Sequence, residues 1–227
     1  MKDFVDHIQQ YASLLKKCSI WENSTEILAP VVGSQSSNVA NDYIYEFYCY
    51  ICIIIDLSAN YDISFIEGNG SFKFAFPKKA AIKSGKPRFH ASVDGKLCFQ
   101  ICAGTLIRSP YPIEKNHPDI SFQTANASED PDQNDLIMIM DAKFSEHPTS
   151  KLPKDEVYTF QSMVELFELR GQRKHHVEFD KLKDLEGNCL LTNARAHSDT
   201  TNIALLRKWS IKEVENFYPG RKCNVIG

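Results

Sequence analysis

The sequence lacks the features that mark several large classes of protein. Its longest apolar run, Tyr43 to Ile55, is interrupted by Glu46 and is shorter than the ~20 residues that cross a bilayer. It has no Walker loop and no GxGxxG motif, so any ATPase or helicase activity would have to come from a partner chain. Its first residues, MKDFVDHIQQYASLL, are polar and amphipathic, unlike a signal peptide. We therefore expect a protein that does not insert into a membrane.

Cysteine spacing of the zinc-binding kind is absent as well. The seven cysteines lie in apolar stretches, and no CxxC pairs with a second CxxC. Cys49 and Cys52 do form one CxxC, which we interpret as two small buried side chains on one helix rather than a redox pair. This use of cysteine indicates a reducing compartment, and we expect the protein to be cytoplasmic.

A strong excess of charge of one sign is also missing. The chain has 227 residues with 26 Lys and Arg against 29 Asp and Glu, which gives a net charge of −3. That balance argues against a generally basic surface, although a local basic cleft would still suffice for nucleic-acid binding. The length and the 43% of apolar residues allow one large domain, or one domain with a small appendage.

Hydrophobic spacing predicts a helix, a set of antiparallel strands, and then helices and strands in alternation. Helical spacing covers 3–21 and 42–58, and the second of these is apolar nearly all round, as in a buried helix. Alternation on both sides of Gly68-Asn69-Gly70 and of Asp94-Gly95 predicts two hairpins. Further on, the pattern predicts a helix over about 154–170, a strand in GNCLLTN, a helix in TTNIALLRKW and a strand in VENFYP. This order predicts an α/β (mixed α+β) fold with a central mixed sheet flanked by helices.

The most informative stretch is HPDISFQTANASEDPDQNDLIMIMDAKF, from position 117 to 144. Segments 120–125 and 135–141 are predicted to pair as an antiparallel hairpin centred near Asp130. Asp119 then falls opposite Asp141, and directly opposed residues lie ~5 Å apart. Lys143 is two residues beyond Asp141 and shares its face of the strand. The pattern therefore brings two acids and one amine to one edge of the sheet.

Two carboxylates at such a distance repel each other strongly unless a cation lies between them. Magnesium prefers hard oxygen ligands from one or two carboxylates, with water and phosphate completing the octahedron. A neighbouring lysine can orient or help deprotonate an attacking water and can offset charge on a phosphate. The alternative is an ordinary Asp–Lys surface pair at a strand end, and these residues alone leave both interpretations open.

Two further polar residues bear on that choice. Glu46 lies in the otherwise apolar helix IYEFYCYIC, where a lone acid is costly without a partner. Gln161 lies on the helix after the D-x-K strand, on the stripe that also carries Val157 and Val164, from which an amide can reach the lysine or a metal-bound water. The alternatives are that Glu46 emerges at the helix start and that Gln161 is an ordinary exposed polar residue.

The ordered set of Pro118-Asp119, Asp141-Ala142-Lys143 and an acid on a preceding helix resembles the PD-(D/E)xK nuclease superfamily. The stretches IYEFYCYICII and NCLLTNARAHSDTTNIALLRKW are similar to helices and strands of restriction-system members. The resemblance implies a restriction-endonuclease-like domain over 41–227, preceded by a helical extension over 1–40, with the hairpins of 61–107 as additions. It also implies a Mg²⁺- or Mn²⁺-dependent endonuclease that hydrolyses DNA phosphodiester bonds in restriction or anti-phage defence.

The same resemblance implies residue roles. Glu46, Asp119 and Asp141 would bind the metal, and Asp119, Asp141, Lys143 and Gln161 would form the catalytic set. A basic loop could grip backbone phosphates, which supply most non-specific affinity, or could simply be solvated, and we hold both interpretations. Its candidate contacts are Lys78, Lys79, Lys83, Lys86 and Arg88.

Rival functions remain open at this stage. A non-catalytic nucleic-acid-binding or scaffold subunit with a nuclease-like fold would keep the sheet without binding metal. An RNase on the same site cannot be told from a DNase by sequence. An interaction protein with a merely polar acid pair would tolerate loss of Asp141. Without a motor of its own, the chain is expected to work with a partner such as an ATPase, a helicase or a sensor subunit, and a homo-oligomer is compatible with the sequence.

Overall fold

The computed structural model describes residues 1–18, 20–24, 41–70, 81–109, 117–170, 176–198 and 202–227. Its helices are α1 (Lys2–Lys17), α2 (Asn41–Leu57), α3 (Lys154–Leu166) and α4 (Ile203–Trp209). Its strands are β1 (Asp62–Ile66), β2 (Arg88–Val93), β3 (Lys96–Ala103), β4 (Ile120–Thr124), β5 (Leu136–Lys143), β6 (Asn188–Thr192), β7 (Ile211–Glu215) and β8 (Asn224–Ile226).

These eight strands form one sheet whose spatial order is their order in the chain. Strands β1 to β5 pair antiparallel, β5, β6 and β7 pair parallel, and β8 returns antiparallel to β7. The two parallel steps are the places where α3 and α4 connect successive strands, as a parallel connection requires a crossover. The predicted α/β class with a mixed central sheet is confirmed.

Helices cover the sheet on both faces. One core contains α1, α2 and inward residues such as Phe122, Met138 and Met140. The other contains α3, α4 and residues such as Ile139 and Leu190. Because β5 is buried on both faces, its sequence is a continuous apolar run rather than an alternation. Helix α2 lies between α1 and the sheet, which explains why it is buried nearly all round, as predicted.

The first helix belongs to the same core as the rest of the chain. Phe4 of α1 lies with its ring centroid 5.4 Å from Tyr45 and 5.0 Å from Tyr48, both on α2. Val5, Ile8 and Leu15 are buried in that core as well. The segment that the sequence set apart as an N-terminal extension therefore contributes to the main hydrophobic core through α1, while 25–40 lies outside the described residues.

The turn residues explain where several elements end. Asp94 and Gly95, with φ of 51° and 74°, connect β2 to β3, as expected for a two-residue hairpin turn. The first half of the hairpin predicted around 68–70 is β1, which pairs with β2, and the other half falls within 71–80, outside the described residues.

Several predicted boundaries differ from the structure. The helices predicted over 3–21 and about 154–170 end earlier, at Lys17 and Leu166, and the last strands begin elsewhere. Ser210, with φ of 56°, ends α4, so β7 begins at Ile211 rather than at Val214. Strand β8 was missed because it is only three residues long and none of them is buried. In the described part of the chain, no helix combines the length and the apolar character needed to cross a membrane.

Candidate functional site

The hairpin register places the two aspartates opposite each other. Ile120 pairs with Met140 and Ser121 with Ile139, so the next position of this ladder sets Asp119 against Asp141. The register inferred from the sequence is therefore confirmed, despite a bulge further along at Phe122. Oδ2 of Asp119 accepts a hydrogen bond of 2.7 Å from the backbone N–H of Ala142, which fixes this carboxylate at the end of β5.

Lys143 lies beside this pair. Its Nζ is 2.9 Å from Oδ2 of Asp141 and 3.5 Å from Oε2 of Glu156, and its side chain is 30% exposed. Burial lowers the pKa of Lys143, but Asp141 and Asp119 outweigh burial and leave the pKa raised overall. The ammonium is therefore charged at neutral pH. In this arrangement it can offset negative charge and orient a water, while proton removal by the amine is not supported.

Asp119 has the most perturbed carboxyl group at this edge. Burial raises its pKa well above the usual range, and Asp141, Glu46 and a side-chain hydrogen bond with Asp141 raise it further. Lys143 acts in the opposite direction without cancelling these effects. The Asp119 carboxyl therefore favours its protonated form more than an isolated aspartate does, as expected when two carboxylates are held side by side.

Glu46 reaches the same site from α2. Burial raises the pKa of Glu46 to about 7, the charge of Asp141 adds to the shift, and Lys143 reduces it. The side chain is half-buried. The structure thus brings the acid of the second helix into electrostatic contact with the acids and the lysine of the sheet edge, as the resemblance implied.

Gln161 is placed differently from its predicted role. Its Nε2 donates to Oε1 of Glu165, one turn further along α3, and Glu165 also pairs with Arg170. The contact from α3 to Lys143 comes from Glu156 instead. Glu156 lies in the first turn of the helix, where the sequence KDEV indicated only a helix start. Glu156 joins the site because α3 brings its carboxylate to Lys143 at the end of β5. No local sequence pattern predicts this contact.

The basic loop proposed to bind phosphate is largely internal where the structure describes it. Lys83 is buried, and its Nζ donates to the backbone carbonyls of Ala127 and Ser128 at 3.2 and 3.0 Å. Lys83 therefore holds a loop of its own chain, and the structure does not expose it for a contact with nucleic acid.

The other basic residues of that loop divide into two groups. Arg88 is paired with Glu129 at 2.8 Å with a side chain only 15% exposed, and Lys86 is half-buried. The interpretation of Arg88 as a free phosphate contact is not supported, because its guanidinium already has a carboxylate partner. Lys78 and Lys79 lie outside the described residues.

At this edge of the sheet, the oxygen ligands available to a hard cation are the carboxylates of Asp119 and Asp141. Within the described ranges, no three or more His, Cys, Asp or Glu side chains are grouped so that they could hold a metal ion. Asp119 and Asp141 nevertheless offer adjacent oxygen ligands, and magnesium is commonly held by one or two carboxylates with water. Glu46 is close enough to influence both aspartates but does not complete a three-residue ligand group.

Comparison of the chain with protein-family models, with curated proteins and with solved structures finds no match.

Proposed function

We propose that this protein is a metal-dependent nuclease acting on DNA, built on a restriction-endonuclease-like core. The observation that carries the proposal is the pairing of Asp119 with Asp141 across β4 and β5, with the Lys143 ammonium 2.9 Å from Asp141. These are the residue types of a D…D-x-K site, at one end of a sheet. The supporting topology is a hairpin that ends in the acid pair, followed by a helix and a parallel strand.

The electrostatics of Asp119 and Asp141 favour the binding of a cation between their carboxylates. Burial and the charge of Asp141 raise the pKa of Asp119, and a divalent cation bound between the two carboxylates would favour their ionised forms. Asp119 and Asp141 would hold Mg²⁺ or Mn²⁺, with Glu46 supporting them from α2. When bound, such an ion supplies a Lewis acid for a phosphodiester oxygen. Lys143 supplies a fixed positive charge next to it, which offsets the charge that develops on phosphorus-bound oxygens.

The basic residues of the described loop do not form a surface that loads nucleic acid. Lys83 and Arg88 are engaged within the chain, so they do not provide a phosphate-binding track. We infer that a partner protein such as an ATPase, a helicase or a sensor subunit, or a second copy of this chain, supplies much of the affinity for DNA. The assignment to restriction or anti-phage defence rests on the family resemblance of the motif residues.

Cleavage of three substrates tests the proposal: plasmid DNA, single-stranded DNA and single-stranded RNA, each with Mg²⁺ or Mn²⁺ and with EDTA. We expect the wild type to cut DNA only with metal, and Asp141→Asn and Lys143→Met to lose about 100-fold or more of that activity. Asp62→Asn is the matched control, because Asp62 is an exposed acid of β1 far from the pair in the sheet. Cleavage of RNA alone would redirect the proposal to an RNase on the same residues.

A non-catalytic scaffold is the second candidate, and one observation favours it. Lys143 already bridges Asp141 and Glu156, so the charges at the edge are partly satisfied without any ligand. Calorimetry with Mg²⁺ and Mn²⁺ separates the two functions. Metal binding that Asp141→Asn abolishes supports the nuclease even if cleavage needs a partner. If the folded wild type neither binds metal nor cleaves any substrate, the scaffold function is supported instead.

A further inference from the structure

A second concave site lies away from the acid pair. It is a cavity of about 570 Å³ between α1, the second half of α2 and two loops. The first loop contains 180–182 and precedes β6, and the second contains 217–223 and follows β7. Ligand pockets of proteins commonly have volumes of ~300–1,000 Å³. The residues that define its chemistry are Tyr11, Tyr48, Cys52, Phe217, Tyr218 and Arg221.

Hydrogen bonds hold the walls of this cavity in place. Asp56 of α2 accepts from the backbone N–H groups of Asp180, Lys181 and Leu182 at 2.9, 2.8 and 3.1 Å. These bonds fix the first loop against α2. The cavity is therefore formed before any ligand enters, which lowers the entropic cost of binding.

The second loop is fixed in the same way. Tyr45 donates through its hydroxyl to the carbonyl of Phe217 at 3.1 Å. Tyr218 donates to Oδ2 of Asp3 at 2.8 Å, and its ring lies 4.9 Å from that of Phe4. Both tyrosine contacts tie the carboxyl-terminal loop to α1 and α2, so the half-buried ring of Tyr218 is held at a fixed position beside the cavity.

The walls are aromatic and the rim is cationic. Four rings line it, Tyr11 and Tyr48 from the helices and two more from the second loop. Tyr48 and Phe217 are buried in the core, at 4% and 5% exposed, whereas Tyr11 and Tyr218 are half-buried and offer ring surface to the cavity. The guanidinium of Arg221 lies 5.2 Å from the centroid of the Tyr218 ring, which holds this exposed cation over the opening. Lys181 adds a second exposed cation, and Asp180 is a half-buried acid beside it.

The negative charge of Asp56 does not oppose an anionic ligand strongly. Its two oxygens are already engaged by three backbone N–H groups, and its side chain is buried at the base of the loop. Among the charged residues of the lining, the two cations, Arg221 and Lys181, are exposed, whereas Asp56 is buried and Asp180 is half-buried. A ligand that suits this site has a flat aromatic body for the tyrosines and an anionic group for the rim.

We propose that this cavity binds a nucleoside monophosphate or a chemically equivalent aromatic anion. The base lies against the half-buried rings of Tyr11 and Tyr218, and the phosphate lies at Arg221 and Lys181. Planar bases stack on aromatic side chains, and guanidinium groups pair with phosphate oxygens in a bidentate manner. This inference goes beyond the proposed nuclease function and does not depend on it.

Titration calorimetry in EDTA tests the proposal directly, with AMP and UMP as the probes and with adenosine and inorganic phosphate as their two halves. The Asp141→Asn variant is titrated beside the wild type, so that neither metal nor cleavage affects the result. We expect a dissociation constant below about 1 mM for at least one monophosphate. Adenosine and phosphate should each bind about 10-fold more weakly or worse, because each lacks half of the contacts.

Variants locate the binding. Arg221→Ala should weaken monophosphate binding about 10-fold or more, through loss of the charged hydrogen bonds. Ala59→Trp places a large ring at the exposed rim and should block entry without disturbing the core. Arg207→Ala, an exposed arginine on α4 against the other face of the sheet, is the matched control and should bind like the wild type.

Two results would overturn the proposal. One is the absence of heat with about 10 mM AMP and UMP on folded protein, with no rise in melting temperature at the same concentration. The other is equal binding by Arg221→Ala and Arg207→Ala, which would move any binding site away from this cavity. Equal affinity for adenosine and AMP would reject the anion while leaving an aromatic site.

Discussion

Two acids on α2 show how differently a buried carboxylate can be used. Asp56, only 7% exposed, accepts hydrogen bonds from three successive backbone N–H groups and holds a loop. Glu46, nearer the start of the helix, faces Asp141, and its pKa is raised to about 7 chiefly by burial. The first carboxylate is stabilised by its surroundings, and the second is destabilised by them. The difference separates an acid that builds the fold from one that belongs to the candidate site.

The same contrast recurs in the sheet. Glu213 on β7 is fully buried and accepts from the backbone N–H groups of His197 and Ser198. Asp119 accepts one such bond, from Ala142, but also lies opposite Asp141. Burial, and then the charge of Asp141, raise the pKa of Asp119. Backbone donors thus identify the structural acids, and a facing acid identifies the candidate catalytic ones.

The largest expected effect comes from removing the structural acid of α2. Asp56→Ala leaves the N–H groups of Asp180, Lys181 and Leu182 without their acceptor, and we expect a loss of about 3–5 kcal/mol in the free energy of unfolding. Urea denaturation at pH 7 measures the change.

Asp56→Asn is the matched control for that experiment, because it keeps one carbonyl oxygen and should lose less. An unchanged urea midpoint for Asp56→Ala would mean that water replaces the carboxylate without cost. Asp56 would then not be an acid that stabilises the fold, and its contrast with Glu46 would be wrong.

An effect of opposite sign is expected for the other acid. The pKa of Glu46 is raised to about 7, so the folded protein holds a proton there that the unfolded chain has lost. Stability from this group is complete below the ordinary pKa of about 4.5 and is lost as pH rises through 7. Glu46→Gln cannot titrate. We expect it to unfold like the wild type near pH 4 and to be more stable by about 2 kcal/mol at pH 8.

Thermal or urea unfolding of both proteins from pH 4 to pH 8 checks this prediction. Asp62→Asn is a suitable control, because Asp62 is an exposed acid of β1 that does not contribute to the pKa shift of Glu46. A Glu46→Gln variant that is less stable than the wild type at pH 8 would show that Glu46 has a stabilising partner, and would place it with Asp56.

The smallest effect is expected for Gln161. Its amide bonds to Glu165 on the surface of α3, so Gln161→Ala should change the free energy of unfolding by less than about 0.5 kcal/mol. It should also leave any metal-dependent cleavage within about 3-fold of the wild type, since the contact from α3 to Lys143 is made by Glu156. A loss of activity as large as that of Lys143→Met would restore Gln161 to the catalytic set.

Part of the candidate site could be predicted from the sequence because it depends on local geometry. The loop between two apolar runs set the pairing of Asp119 with Asp141, and the two-residue repeat of a strand put Lys143 beside Asp141. Glu156 could not be predicted in the same way, since its role depends on how a helix crosses the strand end. Nor could the burial of Lys83, whose partners lie in a loop far along the chain.

By itself the sequence determined the mixed α/β class, the buried character of α2 and β5, and the register that opposes the two aspartates. Each follows from periodicity or from turn spacing, which act over a few residues. The tertiary structure alone decided which buried acids accept backbone hydrogen bonds, which face another acid, and where the aromatic cavity lies. Those outcomes depend on backbone donors, charges and rings from distant segments, whose meeting is set by the packing of α1, α2 and the loops around the sheet.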